Sequence, residues 1–355
     1  MKEKQTHYLY IDILRIIAAF FVIFNHTGDN GFTYFLRYDS SSFKYFIALF
    51  FSIICKISVP LFFMISGALL LPKDDSVKKL IQRVMRITIA LFIFSVLSYV
   101  QQIFLGNETY NLKYFFVQLI EKDWLNVFWY LYSYEAYLIT LPFMRAMIKG
   151  MSSMHYQYLM LLVIIFNGII PVFLYLGWQG RHHINYSFSL AWILGYYPLY
   201  PLLGHYIINV FNDNLMTKKK MIILWSCSIV GILGTIYVTT IDYNTTGQFS
   251  ENYLMSFIML NCLTVMLTLK KGIKNIKVSP WLEKSLSEMG ACTFGIYLFH
   301  GLLLRMPQIG IWRMISPKLG LSDFSNTIIR CLEIMMIGGS ITYILRKIPI
   351  VRKIF

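Results

Sequence analysis

Residues 8 to 29 read YLYIDILRIIAAFFVIFNHTGD, an apolar run that carries Asp12, Arg15 and His26. A charge in a membrane helix is costly and normally faces the protein interior or a wet cavity. Arg15 and His26 are eleven residues apart, close to three helical turns, so both project from one face. Their separation along the axis is about 16 Å. The stretch predicts a first membrane helix whose polar face joins the inner half of the bilayer to a point near its outer side.

The composition predicts an all-α, polytopic membrane protein. The chain has 355 residues, of which 57% are hydrophobic and 14% charged, and its mean hydropathy is +0.58. Soluble domains carry about 25% charged residues. Apolar stretches of membrane-spanning length recur along the chain. No long polar stretch separates them, so we expect a single membrane-embedded domain over residues 1–355.

About ten spans can be drawn, and the basic residues orient them. The predicted spans are 8–28, 45–71, 84–105, 126–147, 156–177, 187–209, 221–241, 252–269, 290–311 and 326–345. If both termini are cytoplasmic, 21 of the 32 lysines and arginines lie inside, eight lie outside and three lie within spans. This positive-inside bias predicts cytoplasmic termini. It also explains the net charge of +15 without a nucleic-acid partner.

The second span is long and is interrupted by Lys56, with Pro60 shortly after it. We expect the membrane crossing proper to begin near Lys56. The five cysteines all fall within predicted spans and have neither metal-ligand spacing nor a disulfide framework. We therefore expect buried thiols that act as small apolar groups, and no bound metal.

His26 suits a general base, because the unperturbed pKa of histidine lies near neutrality. Asp12 precedes Arg15 by three residues, within pairing reach on one helix, and such a pair lowers the cost of burying the arginine. The alternative is that Arg15 and His26 only lock helix packing.

Arg83 and Arg86 mark the cytoplasmic start of the third predicted span. Arginines three residues apart lie on one helical face, and a helix start favours anions. Two guanidiniums there could clamp phosphates from the cytosol. The alternative is ordinary positive-inside anchoring.

Two polar residues inside later spans have open roles. Glu135 lies mid-span, where an unpaired carboxylate is costly, and could pair with Arg15, Lys56 or His300. His300 ends the segment TFGIYLFH and is either a functional or a structural histidine.

Four further polar residues are expected to have no catalytic or binding role. Arg330 and Glu333, three residues apart, are expected to pair with each other and to stabilise packing. His182 and His183 fall in an outer loop with no third ligand visible, and we expect them to be solvated.

Four segments in order resemble the acyltransferase family 3 membrane proteins, the ten-span O-acyltransferases of bacterial surface glycans. They are DILRIIAAFFVIFNH with its Arg, ten residues, His pattern, then SVPLFFMISGALLL, the Arg-x-x-Arg of QRVMR, and TFGIYLFH. The resemblance covers residues 8–345. In one place the chain departs from it: many members have a His before the Trp-aromatic-Leu of span four, where this chain has Asn126 to Phe128.

The resemblance implies that acyl-CoA binds from the cytoplasm and that the acyl group reaches an acceptor hydroxyl outside. Carried over, His26 is the catalytic histidine and Arg15 its partner, while Arg83 and Arg86 are candidates for the CoA phosphates. Some members carry a fused extracytoplasmic domain, which is not found here. We expect the chain to complete the transfer itself or to pass the acyl group to a separate partner.

The sequence therefore predicts an O-acyltransferase of the bacterial cytoplasmic membrane that uses acetyl-CoA and no metal. The expected acceptor is an extracytoplasmic glycan or lipid-linked sugar; peptidoglycan and a small secreted molecule remain open, as do succinyl and other short donors. The candidate catalytic residues are His26, Arg15, Glu135 and His300. The developing oxyanion needs a donor, and Asn25, Tyr297 or His300 could provide it.

A transporter or flippase for a glycan or lipid-linked sugar is the rival interpretation. Ten spans with buried charges fit that class too. A transporter has no need of a CoA clamp, however, and transporters more often show two similar halves, of which the sequence gives no sign. A membrane sensor or scaffold would leave Arg15 and His26 without a purpose.

Overall fold

The computed structural model describes residues 8–178, 185, 189–247, 257–274, 276–306 and 322–355, and this part of the chain is helical without strands. The helices are α1 (Leu9–Asn25), α2 (Phe43–Cys55), α3 (Ser58–Leu70), α4 (Val77–Phe104), α5 (Leu112–Glu121), α6 (Trp129–Lys149), α7 (Ser153–Val163), α8 (Ile170–Trp178), α9 (Ala191–Leu194), α10 (Tyr196–His205), α11 (Lys218–Thr246), α12 (Ile258–Lys274), α13 (Pro280–Leu304) and α14 (Asp323–Leu345). Wider π-helical turns follow α7 and α10, at Ile164–Ile169 and Tyr206–Val210.

Five helical segments of the described chain are long and apolar enough to cross a membrane. They are Phe43–Leu70, Val77–Phe104, Ser153–Trp178, Lys218–Thr246 and Asp323–Leu345. The protein is thus an all-helical, multi-pass membrane protein. A helix also overlaps each of the other predicted spans, but the number ten and the cytoplasmic location of both termini stay predictions.

The predicted interruption near Lys56 is confirmed as a break between α2 and α3. The amide N–H groups of Lys56 and Ile57 donate to the carbonyl groups three residues earlier, at 3.2 Å, which closes a tight turn. Pro60 follows in the first turn of α3, where its missing N–H costs no helical hydrogen bond. The 28 residues of this segment are therefore two helices joined end to end.

The chain divides into two compact units, and the first comprises Met1–Pro72 and Ile148–Ala291. Its tightest packing joins α3 to α10. A Cβ at Gly67 would overlap the backbone of Pro201, and one at Gly204 would overlap the backbone of Met64. Only glycine permits two helix backbones to approach this closely.

The second unit comprises Lys73–Met147 and Cys292–Phe355. Polar side chains join its helices to backbone carbonyls of their neighbours. Gln101 donates from α4 to the carbonyl of Leu302 at 2.9 Å, and the Tyr297 hydroxyl donates to the carbonyl of Val127 at 2.6 Å. Such bonds satisfy backbone groups that lipid cannot.

Four of the five cysteines are buried, as expected, and all five are free. The expectation was wrong for Cys227, which is exposed on α11. The buried side of α11 includes small and polar residues such as Ser228, Gly231 and Thr235, so apolar character alone gave no indication of which side packs inward.

Candidate functional site

The polar face of α1 contains the predicted ion pair. Arg15 donates from Nη1 to Oδ1 of Asp12 at 3.2 Å, which confirms the pairing. Asp12 is 5% exposed, whereas the Arg15 side chain is 31% exposed. Gly290 of α13 makes room for this carboxylate, because a Cβ there would stand 2.7 Å from the Asp12 Cβ and 2.8 Å from Oδ1. The pair is thus held at a close contact between two helices.

His26 caps the C-terminal end of α1, and its ring is oriented by the backbone of its own helix. The Nδ1 atom lies 2.9 Å from the carbonyl oxygen of Val22. A carbonyl oxygen only accepts, so Nδ1 carries the proton and the other ring nitrogen, Nε2, carries the lone pair of the neutral imidazole. Chemically, this tautomer can take a proton at Nε2 while Nδ1 remains bonded.

Asn25, next to His26, ties α1 to the break between α2 and α3. Its Nδ2 donates to the carbonyl of Cys55 and to the Ser58 hydroxyl, each at 3.1 Å. The amide nitrogen of Asn25, and not its amide oxygen, must face the Cys55 carbonyl, because the amide oxygen and the carbonyl oxygen can each only accept a hydrogen bond. Both amide hydrogens are therefore in use, and Asn25 could donate to an oxyanion only by giving up one of these bonds.

In the second unit, Arg83 is part of a charged cluster that we call the Asp75 cluster: Asp75, Lys79, Arg83 and Arg145. Arg83 approaches Asp75 Oδ2 to 2.6 Å and Arg145 approaches the same oxygen to 3.0 Å. Lys79 lies 3.5 Å from Oδ1. The Asp75 side chain is only 8% exposed. Sequence reasoning missed both Asp75 and Arg145, because seventy residues separate them and neither belongs to a motif.

The ionisation of Asp75 is secured by its partners. Burial alone would raise the pKa of the carboxyl, but hydrogen bonds and charge from Arg83 and Arg145 outweigh it and lower the pKa from 3.8 to about 2. Because the pKa is lower in the folded protein, ionised Asp75 stabilises the fold at any pH above its ordinary pKa of 3.8. This stabilisation is lost as the pH falls from 3.8 through about 2. The cluster therefore stays fully ionised at neutral and mildly acidic pH.

Arg86 has different partners from Arg83. It donates to the main-chain oxygens of Ile354 and Phe355 at 2.9 and 2.8 Å, and its guanidinium lies over the Phe294 ring, 5.3 Å from the centroid. Positions three apart on a helix differ by about 60° in direction, which lets long side chains diverge. The structure thus does not bring the two arginines onto a common partner.

The helix that carries both arginines also begins earlier than expected. α4 starts at Val77, whereas the sequence predicted a span from residue 84. Arg83 therefore lies in the second turn, and the helix dipole acts mainly within the first. The attraction of this region for an anion must come from its side chains.

Glu135 and His300 each have a defined partner in the second unit. The Thr88 hydroxyl donates to Oε1 of Glu135 at 2.6 Å. His300 is fully buried, and its Nδ1 donates to the carbonyl of Tyr297, three residues earlier. The single hydroxyl proton of Tyr297 is itself donated to Val127, so this residue could not serve an oxyanion without losing that bond.

The remaining polar residues fall into two groups. Arg330 and Glu333 pair at 2.5 Å, as predicted, and Arg330 also donates to the carbonyls of Leu303 and Met306 at the end of α13. His182 and His183 lie outside the described residues. Within the described ranges, no group of three or more His, Cys, Asp or Glu could hold a metal ion.

Comparison with known proteins gives a match over most of the chain. The family model named acyltransferase 3 and described as an acyltransferase domain matches residues 8–342. The matched range includes Arg15, His26, both arginines of α4, Glu135 and His300. Neither a curated protein nor a solved structure matches the chain.

Proposed function

The chain belongs to the acyltransferase 3 family, and from this premise we propose that it moves an acyl group from acyl-CoA, on the cytoplasmic side, to a hydroxyl of an extracytoplasmic carbohydrate. An acetyl donor and a glycan or lipid-linked sugar acceptor are part of the proposal. So are ten spans, cytoplasmic termini and a location in the bacterial cytoplasmic membrane. That the protein is a multi-pass membrane acyltransferase follows from the family and from the apolar helices.

The observation that carries the proposal is the 2.9 Å contact between His26 Nδ1 and the carbonyl oxygen of Val22. With the proton on Nδ1, the basic nitrogen of the neutral ring is Nε2, at the C-terminal end of α1. In the proposed reaction Nε2 accepts the proton of the acceptor hydroxyl, and the oxygen attacks the thioester carbonyl. The C–S bond then breaks, and the imidazolium returns its proton to the CoA thiolate. The products are the acyl ester, free CoA and neutral His26.

The other candidate residues have supporting roles in this proposal. Arg15 is a positioning residue, since its bond to Asp12 spans one turn of the helix that carries His26. Arg83 and Arg86 are proposed to hold the phosphates of CoA, which arginine recognises well. The Nδ1 hydrogen of His300, the third candidate oxyanion donor, is likewise donated to a carbonyl, so His300 could serve an oxyanion only as the imidazolium, from Nε2. Glu135, bonded to Thr88, stays a candidate catalytic residue in this proposal.

The test is transfer of radiolabelled acetyl groups from acetyl-CoA in membranes supplied with the glycan of the host. Loss of a positioned general base typically lowers the rate about 10²–10⁴-fold. His26→Ala should show this loss while binding CoA normally. His26→Gln should not restore transfer, because glutamine keeps a hydrogen bond but cannot accept the proton.

His155→Ala is the matched control, because His155 is exposed and, among the residues that the structure describes, bonds to Ser152 at the start of α7. It should retain transfer. Wild-type rates in His26→Ala would remove His26 as the base. Export of a glycan without any acylated product would favour the transporter interpretation instead.

A further inference from the structure

The Asp75 cluster contains more positive charge than its one carboxylate can balance. Arg83, Arg145 and Lys79 each lie within ion-pair distance of Asp75, so three cations share one anion. Arginine stays protonated at any accessible pH, and the depressed pKa of Asp75 keeps it ionised. The four named side chains therefore sum to a net charge of about +2 at neutral pH.

The geometry concentrates that charge at one point. Arg83 and Arg145 contact the same oxygen of Asp75, so the two guanidiniums are close neighbours although they come from α4 and α6. Their side chains are 26% and 13% exposed. Both are thus accessible and partly shielded, and charge interactions are stronger there than in open solvent. Like charges held together in this way are stabilised by a second anion.

We propose that the Asp75 cluster binds a dianionic phosphomonoester, namely the 3′-phosphate of CoA, with Arg83 and Arg145 as the contacting residues and Asp75 as the residue that positions them. A phosphomonoester carries a charge of about −1.5 to −2 at pH 7 and three acceptor oxygens, which matches the excess of the cluster. A carboxylate or one phosphodiester group supplies only a single charge. This inference rests on the proposed use of acyl-CoA.

The location of the cluster in the chain agrees with this ligand. All four residues belong to segments that the positive-inside pattern assigns to the cytoplasmic side, from which CoA would arrive. Arg86, by contrast, is bonded to the main-chain oxygens of Ile354 and Phe355. Arg145 is therefore a better partner for Arg83 than Arg86 in binding a terminal phosphate.

The experiment compares CoA with dephospho-CoA, which lacks only the 3′-phosphate, by calorimetry on the full chain in detergent. The wild type should prefer CoA. Arg145→Gln should lower the affinity for CoA by about tenfold or more, the effect of losing one charge-assisted hydrogen bond, and should leave the affinity for dephospho-CoA unchanged. Arg145→Lys keeps the charge but not the planar fork, and should lose part of the preference.

Two variants distinguish positioning of the arginines by Asp75 from a general attraction of CoA by positive charge. Arg352→Gln removes an exposed cationic residue of the same unit and should preserve the preference for CoA. Asp75→Asn raises the net positive charge of the cluster. If the cluster were only a charged patch, this change would strengthen CoA binding; if Asp75 positions the arginines, the preference for CoA should fall.

The outcomes distinguish this inference from the proposed function. If the wild type binds neither ligand, the CoA donor is wrong and this inference is overturned with it. If the wild type prefers CoA and Arg145→Gln keeps that preference, or loses affinity equally for both ligands, the phosphomonoester site is overturned while the donor stands. Thermal unfolding of each variant, measured in parallel, shows that the compared proteins are folded.

Discussion

Two buried carboxylates, Asp12 on α1 and Asp75 before α4, hold arginines in different ways. Asp12 pairs with Arg15, three residues along the same helix, so that this pair has one charge of each sign. Asp75 gathers Arg83 from α4 and Arg145 from α6 on a single oxygen, with Lys79 on the other. One arrangement is local and neutral, whereas the other joins distant segments and remains strongly positive.

The difference separates a structural role from a binding role. In a pair with one charge of each sign, the carboxylate reduces the cost of partly burying the arginine. A cluster with excess positive charge is stabilised when an additional anion binds, so its electrostatic free energy depends on the ligand. Charge balance, rather than burial, is thus the property on which the proposed binding role of the Asp75 cluster depends.

The largest stability effect is expected at the balanced pair. Asp12→Ala leaves Arg15 without its carboxylate and should cost about 1.5–3 kcal/mol, the range for a hydrogen bond between charged groups. The double variant Asp12→Ala with Arg15→Met should recover most of the loss, because it leaves no lone charge behind. Unfolding in detergent measures both. A double variant as unstable as the single one would contradict the view that Asp12 stabilises the fold by neutralising Arg15.

A somewhat smaller effect is expected where α13 meets Asp12. Gly290→Ala places a Cβ 2.8 Å from Oδ1 and should destabilise the protein by about 1–3 kcal/mol through overpacking. Gly234→Ala in α11 is the control: a Cβ there meets nothing within 4 Å, and alanine should stabilise the helix by about 0.5–1 kcal/mol. Equal effects of the two substitutions would show that Asp12 is not closely packed.

The smallest effect is expected at the edge of the Asp75 cluster. The Lys79 side chain is 65% exposed and lies 3.5 Å from Asp75, and surface pairs of this kind contribute about 0–1 kcal/mol. Lys79→Ala should therefore weaken CoA binding by less than about fivefold. A loss as large as that of Arg145→Gln would mean that Lys79, and not the arginine pair, holds the ligand.

The sequence predicted features that depend on residues close together in the chain. The Asp12–Arg15 and Arg330–Glu333 pairs follow from helical spacing, and the break at Lys56 follows from a charge and a proline in an apolar run. Each requires knowledge of only one or two helical turns.

What could not be predicted depends on distant contacts or on helix ends. Nothing in the sequence relates Asp75 to Arg145, so the basic residues near Asp75 could be assigned only to general anchoring. The start of α4 was placed too late because its lysines and arginines are hydrophilic. These residues are nevertheless good helix formers, and they extend the helix back to Val77.

The bonds of Asn25 have a consequence for biogenesis. α1 leaves the ribosome before α2 and α3, and the groups that satisfy its Asn25 amide, at Cys55 and Ser58, follow thirty and thirty-three residues later. At a synthesis rate of about 5–20 residues per second, this polar side chain waits roughly 2–7 s for its partners. The hydrogen bonds of Asn25 therefore cannot form before the end of α2 and the start of α3 have been synthesised. The position of His26 is fixed only when translation has passed the break that Asn25 bridges.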